Sequence, residues 1–458
     1  MSISEKMSPT ELRASIGLAS IYGLRMLGLF LILPVFAIYA TTLPGGDNRT
    51  LVGLTLGIYG LTQAILQLPF GMASDRFGRK RVIYFGLALF ALGSFVAGSA
   101  HDLPIIMIGR AIQGAGAISA AVTALLADLT REEHRTKAMA LIGSSIGMTF
   151  AVSLVAGPAL YRFIGIPGIF DLTGVLAILA VLVIAKGVPD PQGSHFHSDA
   201  ETVPARLKDV VRHPQLLRLN FGIFSLHAAQ MAMFIVIPFT LKTTGGLDEQ
   251  HHWQVYLPVM VAAFALMIPA IIYGEKRAKL KQVFVTAIAL LLLVELGMTQ
   301  LQHSFWGVVA MLVGFFIAFN ILEASLPSMI SKIAPARSKG TAMGVYNTSQ
   351  SLGLFAGGAV GGYLSHTLGS ASVFAFGAAL MAVWLALAVT MEKPPAVRTK
   401  MYHLPLLTTA QAEDLTHKLL ALAGVREAAV VLEEGAAYLK VDMNHWDEAQ
   451  ANQLIEER

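Results

Sequence analysis

Runs of apolar residues alternate with short polar stretches from residue 14 to residue 391. At 1.5 Å per residue, about 20 apolar residues of helix cross the hydrocarbon of a bilayer. The pattern predicts twelve such helices, near 14–40, 50–73, 81–99, 103–128, 136–161, 166–187, 216–240, 252–273, 281–300, 303–331, 339–366 and 370–391. The first is too long for a signal-peptide core and no small-residue cleavage site follows it, so it reads as a retained helix. The widest polar gap, 188–215, divides the set into six and six. The pattern then changes, and 392–400, with Pro394-Pro395, reads as a stiff linker. A strand near 401–406, a helix at 411–423, a hairpin of 425–433 and 436–442 across Glu434-Gly435, and a helix at 446–457 follow. The predicted fold class is thus an all-α polytopic membrane protein with a small C-terminal α+β domain. Its units are two six-helix bundles (1–187 and 216–391), the 188–215 loop, the linker, and a βαββα domain (401–458), ferredoxin-like without its last strand. Val430, Leu432, Leu439 and Val441 are the expected core of that domain.

Composition agrees with a membrane protein. Of 458 residues, 55% are hydrophobic and only 14% charged, too few to cover a soluble surface of this size. Cysteine is absent, which removes disulfides, thiolate nucleophiles and Cys-based metal sites, and neither a metal nor another cofactor is expected. His195 and His197 flank Phe196 in the central loop, too few ligands for a metal. No phosphate-binding P-loop and no hydrolytic triad occur, which argues against ATP drive and against an enzyme.

Charge is unevenly placed. Residues 401–458 hold Lys418, Arg426, Lys440 and Arg458 against ten acids, a net −6, which leaves +10 on the rest. An acidic domain does not suit nucleic acid. Arg76, Arg79, Lys80 and Arg81, then Arg131, Arg135 and Lys137, then Arg206, Lys208 and Arg212 mark alternate loops. Lys276, Arg277, Lys279 and Lys281, and finally Lys332, Arg337 and Lys339, continue the series, whereas the other loops offer Arg49, Arg162 and Lys242. The positive-inside rule then puts both chain ends and the 188–215 loop in the cytoplasm, with the bundles in the cell (inner) membrane.

The halves repeat. Gly71–Arg81 aligns with Ile271–Lys281, so that Glu275, Lys276, Lys279 and Lys281 stand 200 residues after Asp75, Arg76, Arg79 and Arg81. Ala138-Met139 returns as Ala342-Met343, and Gly157 falls opposite Gly361. Duplicated halves suit a transporter that rocks about a central site.

The stretch Gly71-Met-Ala-Ser-Asp75-Arg76-Phe-Gly78-Arg79-Lys80-Arg81 resembles the loop 2–3 signature of the major facilitator superfamily. Arg110-Ala-Ile-Gln113-Gly114 is similar to the superfamily's R-x-x-Q-G element. Gly157-Pro158 resembles the end of the motif of its drug:proton antiporters, although Ser144 and Ser153 stand where glycine is usual and Tyr161-Arg162 replace a glycine pair. Twelve helices followed by a short α+β domain look like YajR-type transporters over essentially the whole chain. The resemblance implies a latch: Asp75 faces the start of the eleventh helix near Lys339-Gly340, Arg76 and Arg79 reach Asp128, and the contact favours the outward-facing state. Gly71 lets another helix approach closely, and a helix start would stabilise Asp75 by about 0.3–1 kcal/mol. The alternative is that the basic residues only set topology. Ser153, Gly157 and Pro158, with Gly357, Gly358, Gly361 and Gly362 opposite, are expected to pack the halves together, and the resemblance adds a role in sealing proton leak.

Ionisable groups within the membrane are costly unless they face a cavity or a partner. Arg25, Arg110, His227 and Glu323 fall one each on the first, fourth, seventh and tenth helices, which line the central cavity in this superfamily. Glu295 and Asp171 lie on helices expected to be peripheral, toward the outer surface. Glu323 is the first choice for a proton carrier and His227 the second, with Arg25 or Arg110 tuning it or recognising substrate; a permanent structural bridge at Glu323 is the alternative. Gln63, Gln67, Gln113, Asn220, Gln230 and Asn320, with Tyr59, Phe234, Phe319, Met26, Met231 and Met233, are candidates for pocket walls or for ordinary packing. The expected function is proton-coupled export of amphiphilic small molecules by alternating access, the partners being the bilayer, protons and substrate. Proton-coupled uptake of a small solute, and a transporter-derived sensor, stand as alternatives. The acidic domain docks on the chain's own basic loops or senses a cytosolic ligand, and so biases gating; the alternative is a tethered unit without catalytic or regulatory duty.

Overall fold

Local capping signals set the helix starts. Ser8 accepts from the Glu11 amide at 3.2 Å while Glu11 accepts from the Ser8 amide at 2.7 Å, with Pro9 at the first helical position. Asn48 and Asp102 cap two further helices through their side-chain oxygens. The computed structural model describes residues 7–190, 203–277, 279–335, 338–393, 397–405, 407–432, 435–442 and 445–456. His195, His197, Arg337, Pro394-Pro395 and Glu434 lie outside the described residues.

The first half contains α1 (Pro9–Phe30), α2 (Leu33–Ala40), α3 (Arg49–Phe77), α4 (Arg79–Gly98), α5 (Leu103–Ala115), α6 (Ser119–Leu129) and α7 (Glu132–Gly187). The short α8 (Leu207–Arg212) leads to α9 (Pro214–Gly245), α10 (Trp253–Lys276), α11 (Leu280–Leu301), α12 (Phe305–Ile333), α13 (Lys339–Thr367) and α14 (Ser370–Val389). Four expected segments differ from the pattern. The first is broken at Leu31-Ile32, with Pro34 opening α2, and the fourth is broken at Gly116-Ala117. The fifth and sixth run together as α7, whose 56 residues are interrupted by Gly165 at φ 64° just before Pro167. A straight helix of that length would be over twice the ~30 Å hydrocarbon thickness, so the left-handed glycine is where the chain turns back. Ten helical stretches among the described residues are long and apolar enough to cross a membrane. Rich in Gly, Ser and Thr, α13 is outside that set, yet it is packed between α3 and α9.

The two halves meet most closely where α3 crosses α13. A Cβ on Gly53 would come within 2.1 Å of Gly358 O, and one on Gly362 within 2.5 Å of Arg49 O, so only glycine allows this backbone approach. Arg49 donates to Ser365 Oγ at 2.9 Å near the same end. The expected packing roles of Gly157, Gly357 and Gly361 need correction. Gly157 abuts Leu31 O within the first half, Gly357 and Gly361 abut Ala228 and Ala232 of α9 within the second, and it is Gly358 and Gly362 that join the halves. Buried Ser153 and the neighbouring Pro158 lie on α7 beside Gly157.

Beyond residue 396, β1 (Val397–His403), α15 (Thr409–Leu420), β2 (Val425–Val431), β3 (Ala436–Asp442) and α16 (Glu448–Glu456) form one antiparallel sheet, ordered β1-β3-β2, with two helices. The strand begins at Val397, inside the stretch expected as linker. Leu415, Leu419, Ala437, Leu439 and Val441 make its core. Leu432 is 40% exposed and does not join them, because the strand ends at Val431 and the alternation stops with it.

Candidate functional site

A cavity of about 2220 Å³ runs from the basic-loop end, where Ser8, Arg131, Lys332 and Lys339 line it, toward the middle of the bundle at Tyr22, Gln63 and Glu323. The opposite end is shut by the glycine crossing of α3 on α13 and by Phe150 of α7, whose ring lies 6.0 Å from Phe316 and 5.6 Å from Phe319 of α12. The halves are parted at one end and joined at the other.

The second-half wall carries a connected polar network. His227 directs Nδ1–H toward Ile223 O at 3.3 Å, which leaves Nε2 to accept from the Gln350 amide at 2.8 Å. The same amide nitrogen donates to Glu323 Oε1 at 3.3 Å, and Glu323 Oε2 lies 3.8 Å from His227 Nε2 without a hydrogen-bond partner. Glu323 keeps 28% of its side chain open to the cavity while His227 keeps 5%, so Glu323 is the member nearer the cavity water. Helical spacing explains the arrangement: α9, α12 and α13 each present one polar residue to a common point. Gln350 escaped the sequence reading because a lone glutamine in a Ser/Gly-rich helix looks like solubility, not a site.

The first-half wall is built in two layers. Gln63, Ser119, Tyr22 and Met26 face the cavity. Behind them Arg25 is 1% exposed and donates to Ser119 Oγ at 3.4 Å and Gln63 Oε1 at 3.3 Å. Arg110 lies fully buried, donating to Gln113 Oε1 at 2.9 Å, and Gln113 in turn donates to Ser94 Oγ at 2.8 Å. Both guanidiniums stand over the Tyr59 ring, at 5.9 and 4.9 Å. The four intramembrane charges therefore form two pairs, His227 with Glu323 and Arg25 with Arg110. Of the candidate wall residues, Gln63, Gln67, Gln230, Asn320, Phe319 and Met26 line the cavity, while Gln113, Asn220, Tyr59, Phe234, Met231 and Met233 do not. Glu295 is buried at 2% exposure against Gly377 of α14, away from the cavity, whereas Asp171 is exposed.

At the cavity mouth, Gly78 (φ 95°) ends α3 and starts α4, a turn that folds Arg79, the first residue of α4, back onto the end of α3. Arg79 pairs with Asp75 and, at 3.3 Å, with the buried Asp128 of α6. Arg76 does not reach Asp128; it is exposed, with its guanidinium 5.4 Å from the Phe77 ring, because it precedes the Gly78 turn that brings Arg79 to Asp128. Gly71 meets Ala120 of α6, its absent Cβ site 3.3 Å from that methyl. Asp75 is 43% exposed and faces Arg79 rather than the start of α13, which lies on the cavity's other wall at Lys339-Gly340. A contact the sequence did not signal, Arg131 forked onto Glu11 at 3.0 and 3.1 Å, ties the start of α7 to α1.

The C-terminal domain sits at the same mouth, where Lys400, Tyr402, Tyr438 and Glu448 line the cavity. Its Lys440, 5% exposed, pairs with Glu427 at 3.2 Å and donates to Lys332 O at 3.1 Å and to Ala334 O. A lysine on the last carbonyls of α12 suits the helix dipole, so this contact is a basic side chain on a helix end. Burial first, and then the Glu448 carboxylate, push the Tyr402 phenol up.

Comparison with known proteins places this architecture. Residues 18–358 and 277–411 match the model of the Major Facilitator Superfamily. The chain is 44% identical over 450 residues to "Inner membrane transport protein YajR" of Escherichia coli (strain K12), covering 98% of each chain. It is 25% identical over 357 residues to "Quinolone resistance protein NorA" of Staphylococcus aureus, covering 74% of this chain and 86% of that one. Among solved structures, a bacterial homologue of the human lysosomal transporter Spinster, inward-facing and occupied, aligns at TM-score 0.68 and 15% identity over 85% of this chain and 98% of that chain.

Proposed function

The chain belongs to the Major Facilitator Superfamily of multi-pass membrane transporters, and from that premise we propose that it is a proton-coupled exporter of amphiphilic small molecules working by alternating access. The observation that carries the reading is the Glu323 carboxylate, open to the cavity and joined through Gln350 to His227. A titratable acid on a water-accessible path, beside a neutral hydrogen-bonded bridge, is what proton exchange requires. Export is favoured over uptake by the Gly157-Pro158 element and by the likeness to a protein named for quinolone resistance. The spans number twelve in this reading: the ten apolar stretches, with that broken at Gly165 counted twice, and α13. The basic-loop end faces the cytoplasm, so the conformation is inward-open, and Asp75, Arg79 and Asp128 with Gly71 and Gly78 form a latch that engages α13 when that end closes. Arg76 serves topology. In proteoliposomes with a trapped pH-sensitive dye, adding a transported amphiphile is expected to move protons in a fixed ratio to substrate. Substrate flux without proton movement would overturn the coupling and favour a facilitator.

The βαββα unit, read as ferredoxin-like, docks on α12, the helix that carries Glu323, through Lys440. Replacing Lys440 with Met removes a charged donor from two carbonyls, and each such bond contributes about 1.5–3 kcal/mol. Hydrogen exchange in residues 397–442 is expected to rise by about tenfold or more. Unchanged exchange would mean that the domain is held by other contacts or not held at all.

A further inference from the structure

We infer that the wall formed by α1, α3 and α6 is a recognition site for an organic anion, with Arg25 as the group that receives it. This rests on the transporter reading above and specifies its substrate class. A guanidinium offers five N–H donors. Arg25 engages Ser119 Oγ at 3.4 Å and Gln63 Oε1 at 3.3 Å, both long bonds to neutral oxygens, and its Nε is buried without a partner. Arg110 shares the Tyr59 ring with it and likewise buries an unpartnered Nε. Among the described residues neither guanidinium lies within ion-pair distance of a carboxylate. The acid of the facing wall, Glu323, is bonded to Gln350 and stands beside His227.

Two positive charges held on one ring without a counter-charge are costly inside a bundle. What would relieve that cost is an acceptor anion, and the cavity provides its way in: Gln63 and Ser119, the two residues that hold Arg25, both line it. A carboxylate displacing those two oxygens would take the guanidinium fork in two parallel charge-assisted bonds. Met26, Leu29, Phe30 and Phe150 of the same cavity offer an apolar surface for the rest of the ligand. A cation at this wall would meet like charge. The ligand class that fits is an amphiphile with an oxyanion head.

Isothermal titration calorimetry of the full-length protein in lipid nanodiscs, with no pH gradient, tests this using 2-naphthoate and the matched cation 2-naphthylmethylammonium. Wild type is expected to bind naphthoate about tenfold or more tighter than the ammonium. Arg25→Gln is expected to lose about tenfold or more in naphthoate affinity, and Arg25→Lys, which keeps the charge but not the fork, about three- to tenfold. The lysine variant also reports on folding if the glutamine variant is unstable. No naphthoate binding by wild type, preference for the ammonium, or equal naphthoate affinity in wild type and Arg25→Gln would each overturn the assignment. With no gradient imposed, failure here leaves proton coupling standing, and loss of proton-linked flux elsewhere leaves this charge preference standing.

Discussion

Glu323→Gln is expected to abolish uphill transport while leaving exchange at equal pH. Moving one charge through the membrane potential supplies about 2.3 kcal/mol per 100 mV, enough to hold about a fifty-fold gradient. Glutamine keeps the shape of the side chain and an oxygen to accept from Gln350, which lies 3.3 Å away, but it has no proton to exchange. The fifty-fold gradient should therefore collapse to about unity. Substrate counterflow, which needs the cavity but no net proton movement, should stay within about threefold of wild type, since binding and rocking do not depend on titration. The measurement is paired flux and counterflow in proteoliposomes. The structural-bridge alternative makes the opposite forecast: a lower thermal midpoint with the gradient intact, because the carboxylate 3.8 Å from His227 Nε2 would be replaced by a neutral amide. Gln350→Leu separates the two further. It breaks the link between His227 and Glu323 but keeps both groups, so coupling should weaken without vanishing.

The sequence carried the bundle but only part of the site, for identifiable reasons. Apolar length and basic-loop alternation depend on the bilayer alone, so they are legible residue by residue, and the order of the C-terminal elements followed from period-two alternation closed by glycine turns. Helix interruptions were harder. Gly116 and Gly165 sit among many helical glycines, and their backbone angles are decided by packing, not composition. Facing directions were harder still. That Arg79 and not Arg76 meets Asp128 depends on the Gly78 turn, and that Gly358 rather than Gly357 joins the halves depends on a 100° step around α13. Charged residues announced themselves by their cost in hydrocarbon. Their second layer did not: nothing in the sequence marks Gln350 as the bridge from His227 to Glu323, or Tyr59 as the ring between Arg25 and Arg110.

The same geometry sets the expected effect of Asp75→Asn. With the basic-loop end parted, Asp75 is 43% exposed and Arg79 beside it is 3% exposed. In this conformation the carboxylate pairs with Arg79, which keeps Asp128 as its other partner when Asp75 is changed. When that end closes, the start of α13 at Lys339-Gly340 becomes its neighbour in the proposed latch, and a carboxylate at a helix start contributes about 0.3–1 kcal/mol, up to ~2 kcal/mol when partly buried. Asparagine forfeits that in the closed-loop state only, so the population should shift toward the inward-open state by about two- to thirtyfold. The chain has no cysteine, so a single Ala37→Cys reporter can be read without background. Ala37 is 1% exposed and lines a small pocket at the opposite end, so a thiol there reacts only when that end opens. Its labelling rate should fall by the same factor in the Asp75→Asn background. Gly369→Ala, outside the latch, is the control for nonspecific damage. It strains the φ 85° turn between α13 and α14 by about 1–3 kcal/mol, and a Cβ there meets nothing within 4 Å. It should lower the thermal midpoint yet leave the Ala37→Cys rate ratio unmoved. Equal labelling of the Asp75→Asn and parent proteins would remove the carboxylate from the gating equilibrium and leave the Asp75–Arg79–Asp128 cluster as a clasp within the first half.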